Sequence, residues 1–376
     1  MVRLVYYYVQ HRAAPIHSNP KWSPEQRSRN GYASTFFTEG AYTLFNRMLE
    51  EKIVDEVLMI IESMDHPGVY RYDNNLQNFT IRVVPEIAQT EQFLRPNDII
   101  YIRGGFKQWW EFIDRLSKKG HWILFYRANT NRGNWLFWDV VFEDLSEREA
   151  MDRYGRAYLH FIKPTSPSLF HPMEIERPYD VCIGASHIHD KKGQWRGVQA
   201  MLSYRRLFGK DLRCILPGRV IGGARTRESM EAIPQKLLPI SLPGMLQREQ
   251  MGTIYNQSKL FVHLGTGGQN DRGPLEAMRC GTPVMIAHPP NHAPLVYKNP
   301  EVSAVFTDHD NFDLVAREIF ERLQQCTEEN RKRVFQYHEE TSGIEQVILP
   351  RMSRLFNFFR QHPVKDKEAL RREYGL

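Results

Sequence analysis

Segments rich in β-branched and aromatic residues alternate with amphipathic helical segments twice along this chain, and a proline-rich stretch separates the two series. In the first half the strand-like runs are Leu4–Val9, Val57–Ile61, Phe79–Val84, Ile99–Ile102 and Ile123–Tyr126. Phe37, Ala41, Leu44, Phe45, Met48 and Leu49 recur at helical spacing between the first two, and Trp109, Phe112, Ile113 and Leu116 mark another helix. Residues 161–178 read FIKPTSPSLFHPMEIERP, a linker composition with four prolines. The alternation then restarts with strands at Val181–Ile183, Arg213–Leu216, Leu260–Leu264 and Val284–Ala287. Helices fall around Gly197–Leu207, Gln250–Tyr255, Pro274–Arg279 and Phe312–Gln325. Such alternation builds parallel sheets covered by helices. The expected architecture is α/β: two Rossmann-like doubly wound parallel-sheet domains, 1–172 and 173–344, facing across a cleft. A helical tail, 345–376, is expected to pack back toward the first domain.

The 376 residues suffice for two such cores, and 41% hydrophobic with 25% charged residues is ordinary for a globular chain. No apolar run approaches the roughly 20 residues of a spanning helix. The opening MVRLVYYYVQ lacks a small-residue cleavage site and is expected to be a strand, not a signal peptide. Cys182, Cys214, Cys280 and Cys326 lie in apolar stretches without CxxC spacing, which points to free buried thiols in a reducing, cytoplasmic setting. Residues 1–175 carry 21 basic and 21 acidic side chains, so the net +6 resides in 176–376, where 29 face 23. A polyanionic ligand should therefore meet the second half.

The most informative stretch is His263–Ala287, HLGTGGQNDRGPLEAMRCGTPVMIA. A strand ends in a glycine-rich loop that leads into a helix with Pro274 in its first turn. Asp271 is placed as the cap. Gly265, Gly267, Gly268 and Gly273 allow close backbone approach, and the free N–H groups at a helix start suit a phosphate. Glu276, in the first turn, can accept from vicinal hydroxyls. In isolation this would read as a surface loop with Glu276 serving the helix dipole. A second segment, Ile183–Met201, runs from a strand into a loop with Lys191, Lys192 and Arg196 before a helix. Cations there can offset the charge of a diphosphate leaving group; the bland alternative is a solvated basic loop.

LEAMRCGTPV, Leu275–Val284, resembles the second half of the E-x7-E motif of glycosyltransferase family four, retaining nucleotide-sugar enzymes of the GT-B fold. Phe161–Pro172, with Phe170 and Pro172, resembles that family's interdomain segment, and Gly244–Leu264 its helix and following buried strand. The resemblance spans about 160–325. It implies that Glu276 holds the donor ribose and that an Arg/Lys pair binds the diphosphate. Two registers compete for that pair: Lys191 with Arg196, which is preferred, or His187 with Lys192. Gly268 stands where the family has its first glutamate, and Gln269, Asn270 and Asp271 are nearby polar substitutes. The expected donor site is thus Arg196, Lys191 and Glu276 with Gly31, His187, Lys192, Gly268, Gln269, Asn270, Asp271, Arg272, Gly273, Pro274 and Leu275. Arg103 and Arg127 are expected on the acceptor side.

The resemblance implies a glycosyltransferase that moves a sugar from a nucleoside diphosphate sugar to an acceptor hydroxyl with retention, without a metal or other cofactor. A glycan or lipid-linked glycan is the expected acceptor. A DNA-base acceptor is the weaker alternative, because the acceptor half is charge-balanced. A sugar-nucleotide epimerase and a silent nucleotide-sugar-binding module are the rivals from other classes. Asp308-His309-Asp310 imitates a metal motif but precedes a helix, so Asp310 is expected to be its cap. His187-x-His189 lacks further ligands at metal spacing. Asn134–Phe142 reads as core. Lys365, Lys367, Arg371 and Arg372 make the tail a possible contact for an anionic membrane surface.

Overall fold

The computed structural model describes residues 1–8, 40–62, 68–71, 78–103, 109–126, 138–143, 157–160, 163–184, 187–236, 238–265, 272–287, 295–297, 299–306 and 308–374. The chain divides into two compact units. One comprises Met1–Pro164 with Ile344–Leu376, the other Thr165–Gly343. The boundary thus falls eight residues before the one drawn from composition. Residues 165–172 belong to the second unit because Phe170 is fully buried there, its carbonyl accepting from the Arg279 guanidinium.

The first unit holds strands β1 (Arg3–Tyr8), β2 (Glu56–Glu62), β3 (Gly68–Arg71), β4 (Phe79–Val84), β5 (Ile99–Arg103), β6 (Trp122–Tyr126), β7 (Val140–Glu143) and β8 (Ala157–His160). They form one sheet in the order β3-β4-β2-β1-β5-β6-β7-β8, parallel except for the β3–β4 pair. Leu4 and Tyr6 enter one core with Leu44, Phe45 and Met48 of helix α1 (Gly40–Glu50). Val5 and Tyr7 enter the opposite core with Phe112, Ile113 and Leu116 of α2 (Trp110–Lys118). Strands covered on both faces must be apolar throughout, which is why their sequence runs are continuous. β7 and β8, four residues each, were not expected; Trp138, Val140, Val141 and Phe142 are buried, as core residues are.

The second unit contains β9 (Tyr179–Ile183), β10 (His187–His189), α3 (Gln194–Phe208), β11 (Cys214–Ile215), β12 (Arg219–Gly222), α4 (Ala224–Gln235), β13 (Ile240–Ser241), α5 (Arg248–Asn256), β14 (Ser258–His263), α6 (Arg272–Arg279), β15 (Val284–Ala287), β16 (Ser303–Phe306), α7 (Phe312–Gln325) and α8 (Glu328–Ser342). Its parallel sheet runs β13-β11-β9-β14-β15-β16, and β10 pairs separately with β12. Chain order reverses between β9 and β14 here, and between β1 and β5 in the first unit. Ligands of doubly wound sheets gather at such switch points, outside the strand carboxyl ends.

After a π-type turn at Ile344–Ile348, the tail forms α9 (Leu349–Gln361) and α10 (Lys367–Tyr374). Met352, Leu355, Phe356 and Phe359 complete the first unit's core. Lys365 is 8% exposed and bonds Asp139 Oδ2 at 2.6 Å, and Lys367 Nζ lies 3.1 Å from Oδ1. Lys365 therefore faces the protein, not an external surface, while Lys367 is 45% exposed. Among the described residues, no helix is long and apolar enough to cross a membrane. Cys182, Cys214 and Cys280 are buried and Cys326 partly so, all as free thiols, and burial pushes each thiol pKa up.

Candidate functional site

At the second unit's switch point two loops meet backbone to backbone. Asp190–Lys192 forms one 3-10 turn, ended by Gly193 at φ 71°. A Cβ on Gly193 would stand 2.1 Å from the Leu264 carbonyl oxygen, just past β14. A Cβ on Gly265 would likewise stand 2.9 Å from the Lys192 carbonyl oxygen. Only glycine permits both approaches. The basic loop and the start of the glycine-rich loop, 71 residues apart at Gly193 and Leu264, are thus one structure. β9 is set equally close: a Cβ on Gly184 would lie 2.1 Å from the Phe261 ring, and His263 Nδ1 is 3.0 Å from the Gly184 carbonyl oxygen.

Arg196, in the first turn of α3, is 7% exposed. Its Nε donates to Asp310 Oδ1 at 2.6 Å, Nη2 to Oδ2 at 3.4 Å, and Nη1 to the Leu264 carbonyl at 3.4 Å. Its guanidinium carbon lies 4.5 Å from the centre of the Trp195 ring, and that of Arg225 lies 5.0 Å from it. Asp310 therefore does not cap α7. Asn311 does, accepting from the Leu314 N–H at 3.2 Å, because the ion pair draws the Asp310 carboxylate toward Arg196. The Arg196 bond holds the Asp310 pKa below the usual carboxylate range. Trp195 Nε1 donates to the Asp190 carbonyl at 3.2 Å. The Asp190 carboxylate accepts from Thr226 Oγ1 at 2.6 Å and from Thr226 N–H at 2.8 Å, and the hydroxyl bond is the main reason its pKa is lowered. Lys191 is exposed and Lys192 half-buried.

Helix α6 begins at Arg272, so Glu276 is its fifth residue and sits just beyond the first turn where the sequence reading had placed it. Pro274 and Leu275 are buried, and Gly273 packs on Phe261 and Tyr255. Glu276 is 6% exposed. Its Oε1 accepts from the Arg248 guanidinium and its Oε2 from the Tyr255 hydroxyl at 3.4 Å. The carboxylate thus has protein partners on α5, which the sequence reading did not assign to it. Arg248 is 25% exposed and stacks 5.5 Å from the Phe170 ring centre, so the outer edge of the pair reaches water.

The structure brings together Arg196, Lys191, Lys192 and the Leu264–Gly265 start of the glycine-rich loop; Gly273, Pro274, Leu275 and Glu276 follow on α6. Gly31, Arg127, Gly268, Gln269, Asn270 and Asp271 lie outside the described residues, as do the side chains of His187 and Arg103. Sequence reasoning missed Arg248, Asp310 in its pairing role, and the Asp190–Thr226 tie. Arg248 and Tyr255 are seven residues apart, two helical turns on one face, and that spacing was the available signal. Among the described residues no group of three His, Cys, Asp or Glu side chains can hold a metal ion.

No family model matches the chain, and no curated protein sequence matches it either. Solved structures do. Sucrose-phosphate synthase from Thermosynechococcus elongatus superposes with a TM-score of 0.64 at 12% identity, over 96% of this chain and 100% of that one. Anabaena HepE in complex with UDP and glucose gives 0.62 at 11% identity, over 95% and 99%. The E. coli trehalose-6-phosphate protein bound with UDP-2-fluoro glucose gives 0.61 at 11%, over 96% and 98%. Two sheet units in one chain, matched end to end with these proteins, give this chain the GT-B fold.

Proposed function

We propose that the protein is a glycosyltransferase that takes a sugar from a nucleoside diphosphate sugar held by the second unit. The observation that carries this is the junction at the switch point. There a basic turn and a glycine-rich loop touch through their backbones, with the Arg196 guanidinium at their seam. Such a seam offers N–H groups and fixed positive charge to a diphosphate, the group whose departure limits cleavage of a sugar–phosphate bond. Arg196 and Lys191 offset its charge without a metal. Glu276, held by Arg248 and Tyr255, takes the ribose hydroxyls on the lone pairs its protein partners leave unused. The glycine-rich segment, including Gly268, Gln269, Asn270 and Asp271, positions the sugar.

In the reaction the bond from the anomeric carbon to the phosphate oxygen breaks and one to the acceptor oxygen forms. The acceptor proton passes to the departing phosphate, which is the retaining course the family resemblance implies. A glycan or lipid-linked glycan, met by the first unit in the cytoplasm, is the acceptor that fits; equal numbers of acidic and basic residues in 1–175 argue against DNA. That UDP occupies HepE, and a UDP-sugar the E. coli protein, supports a donor of this class.

Glu276 packed against Arg248 favours a second reading, a nucleotide-sugar-binding module without turnover. Calorimetric titration with UDP, ADP and GDP, followed by incubation with the matching sugar nucleotides, separates the two. Binding with slow donor hydrolysis supports transfer; binding with the donor intact supports the module. Isomerised sugar supports the epimerase alternative. Glu276→Ala should weaken nucleoside diphosphate binding by about tenfold or more, and unchanged affinity would remove Glu276 from the site.

A further inference from the structure

We infer that Asp310 is a positioning residue, which holds the Arg196 guanidinium so that one hydrogen on each terminal nitrogen remains for an anionic oxygen. The inference rests on the donor-site reading above.

A guanidinium carries five N–H bonds in one plane. Asp310 takes the Nε hydrogen and one on Nη2, and the Leu264 carbonyl takes one on Nη1. Among the described residues that leaves two, one on each terminal nitrogen, in the fork geometry that suits two oxygens of a phosphate. The socket has three sides. Trp195 lies under the plane at 4.5 Å, Asp310 along the side edge, and the strand end at Leu264 beside the tip. Trp195 is itself fixed by its bond to the Asp190 carbonyl. Among the described residues, without Asp310 the stacking and one 3.4 Å contact alone would restrain a long side chain that has many rotamers in water. Asp310 is 57% exposed, so its carboxylate stands in water when no ligand is bound and its ion pair is not a buried core feature.

A bystander or charge-masking role predicts the opposite sign. Asp310 is negative, as the diphosphate is, so removing it should tighten binding if charge alone matters. If positioning matters, removal should weaken binding. The experiment titrates UDP, ADP and GDP into the full-length protein by calorimetry. With the best of these, Asp310→Ala should bind about fivefold to tenfold more weakly, while Asp310→Asn, which keeps an oxygen for Nε, should stay within about twofold of the parent. In an Arg196→Ala background Asp310→Ala should change nothing further. Asp313→Ala, which cuts the Arg206–Asp313 tie between α3 and α7 without touching Arg196, should leave affinity unchanged. Equal or tighter binding by Asp310→Ala overturns the inference and leaves the donor site standing. A weakening that persists at full size in the Arg196→Ala background overturns it as well. Absence of binding by the parent protein to all three diphosphates would instead sink the donor-site reading, and this inference with it.

Discussion

Gly193 and Leu264 are in backbone contact: a methyl group on the glycine would stand 2.1 Å from the leucine's carbonyl oxygen. That proximity makes one site of two segments far apart in the chain. It also separates two costs that glycine substitutions usually mix. Gly193 and Gly209 both have positive φ, 71° and 62°, but nothing lies within 4 Å of the Gly209 Cβ position. Gly209→Ala should therefore cost only the conformational strain, about 1 kcal/mol. Gly193→Ala should cost more than about 2 kcal/mol, because a backbone carbonyl must also move. It should weaken nucleoside diphosphate binding too, whereas Gly209→Ala should not. Denaturant midpoints and titrations on the two variants check this, and equal costs would show that the two loops are less tightly joined.

The Arg248–Glu276 pair is lopsided, and the asymmetry is testable. Removing the arginine strands a carboxylate that is nearly sealed from water, whereas removing the carboxylate leaves a guanidinium that already reaches solvent. Arg248→Met should destabilise by roughly 2–4 kcal/mol and Glu276→Gln by about 1 kcal/mol. Urea unfolding of both variants decides it; a larger loss in Glu276→Gln would mean that the pair opens to water from the other side.

Much of the frame was legible in the sequence where burial is two-sided. The runs at 79–84 and 284–287 and the stripe at 312–325 coincide with β4, β15 and α7 because a covered sheet or helix face must be apolar. α8 escaped notice because it buries Arg331 and His338 with Val334, so its inner face lacks an apolar stripe. β13, two residues long, is too short to show a period. At the site, glycine spacing exposed the loops, but not their partners. Arg196 finds Asp310 114 positions away, and Arg248 finds Glu276 28 away. No local pattern encodes such pairs, since the sheet order creates them. Read locally, Asp310 looked like a helix cap, one residue from the true one.

His338 gives the second unit a pH dependence of known sign. It is wholly buried, with Nδ1 3.1 Å from Glu339 Oε1 and Nε2 3.3 Å from Thr165 Oγ1, and Arg279 Nε lies 3.2 Å from the same Glu339 oxygen. Burial lowers its pKa below the ordinary imidazole value of about 6.5, outweighing the opposing pull of Glu339. The unfolded chain therefore binds more protons here than the folded one as pH falls below about 6.5. This contribution to stability is complete above that pH and is lost as pH falls toward the folded-state value. Glu339, its own pKa lowered, contributes stability that is present above about pH 4.3 and is lost only below it, outside the histidine window. His338→Gln should flatten the rise in unfolding free energy between about pH 5 and 6.5. The readout is the difference between parent and variant at each pH, which cancels the other histidines. A difference independent of pH would show that His338 does not titrate on unfolding.

Lys365 and Asp139 fasten the returning tail to the first unit. Asp139 is fully buried and also accepts from the Ile123 N–H at 2.7 Å, while Lys365 donates further to Ser117 Oγ and the His121 carbonyl, each at 3.0 Å. Burial lowers the lysine pKa, and Asp139 opposes that shift. Taking two charges out of water is costly, so such a pair adds little net stability over apolar replacements, yet breaking it from one side leaves a charge without compensation. Lys365→Met should therefore destabilise by about 3 kcal/mol, leaving Asp139 with the more exposed Lys367 as its cation among the described residues. Adding Asp139→Asn should recover at least half of that loss, because the amide keeps an acceptor for Ile123 and needs no counter-charge. Chemical unfolding of the single and double variants measures both steps. If the second substitution deepened the loss, the carboxylate would be stabilising the strand end on its own account, and the lysine would be the accessory partner.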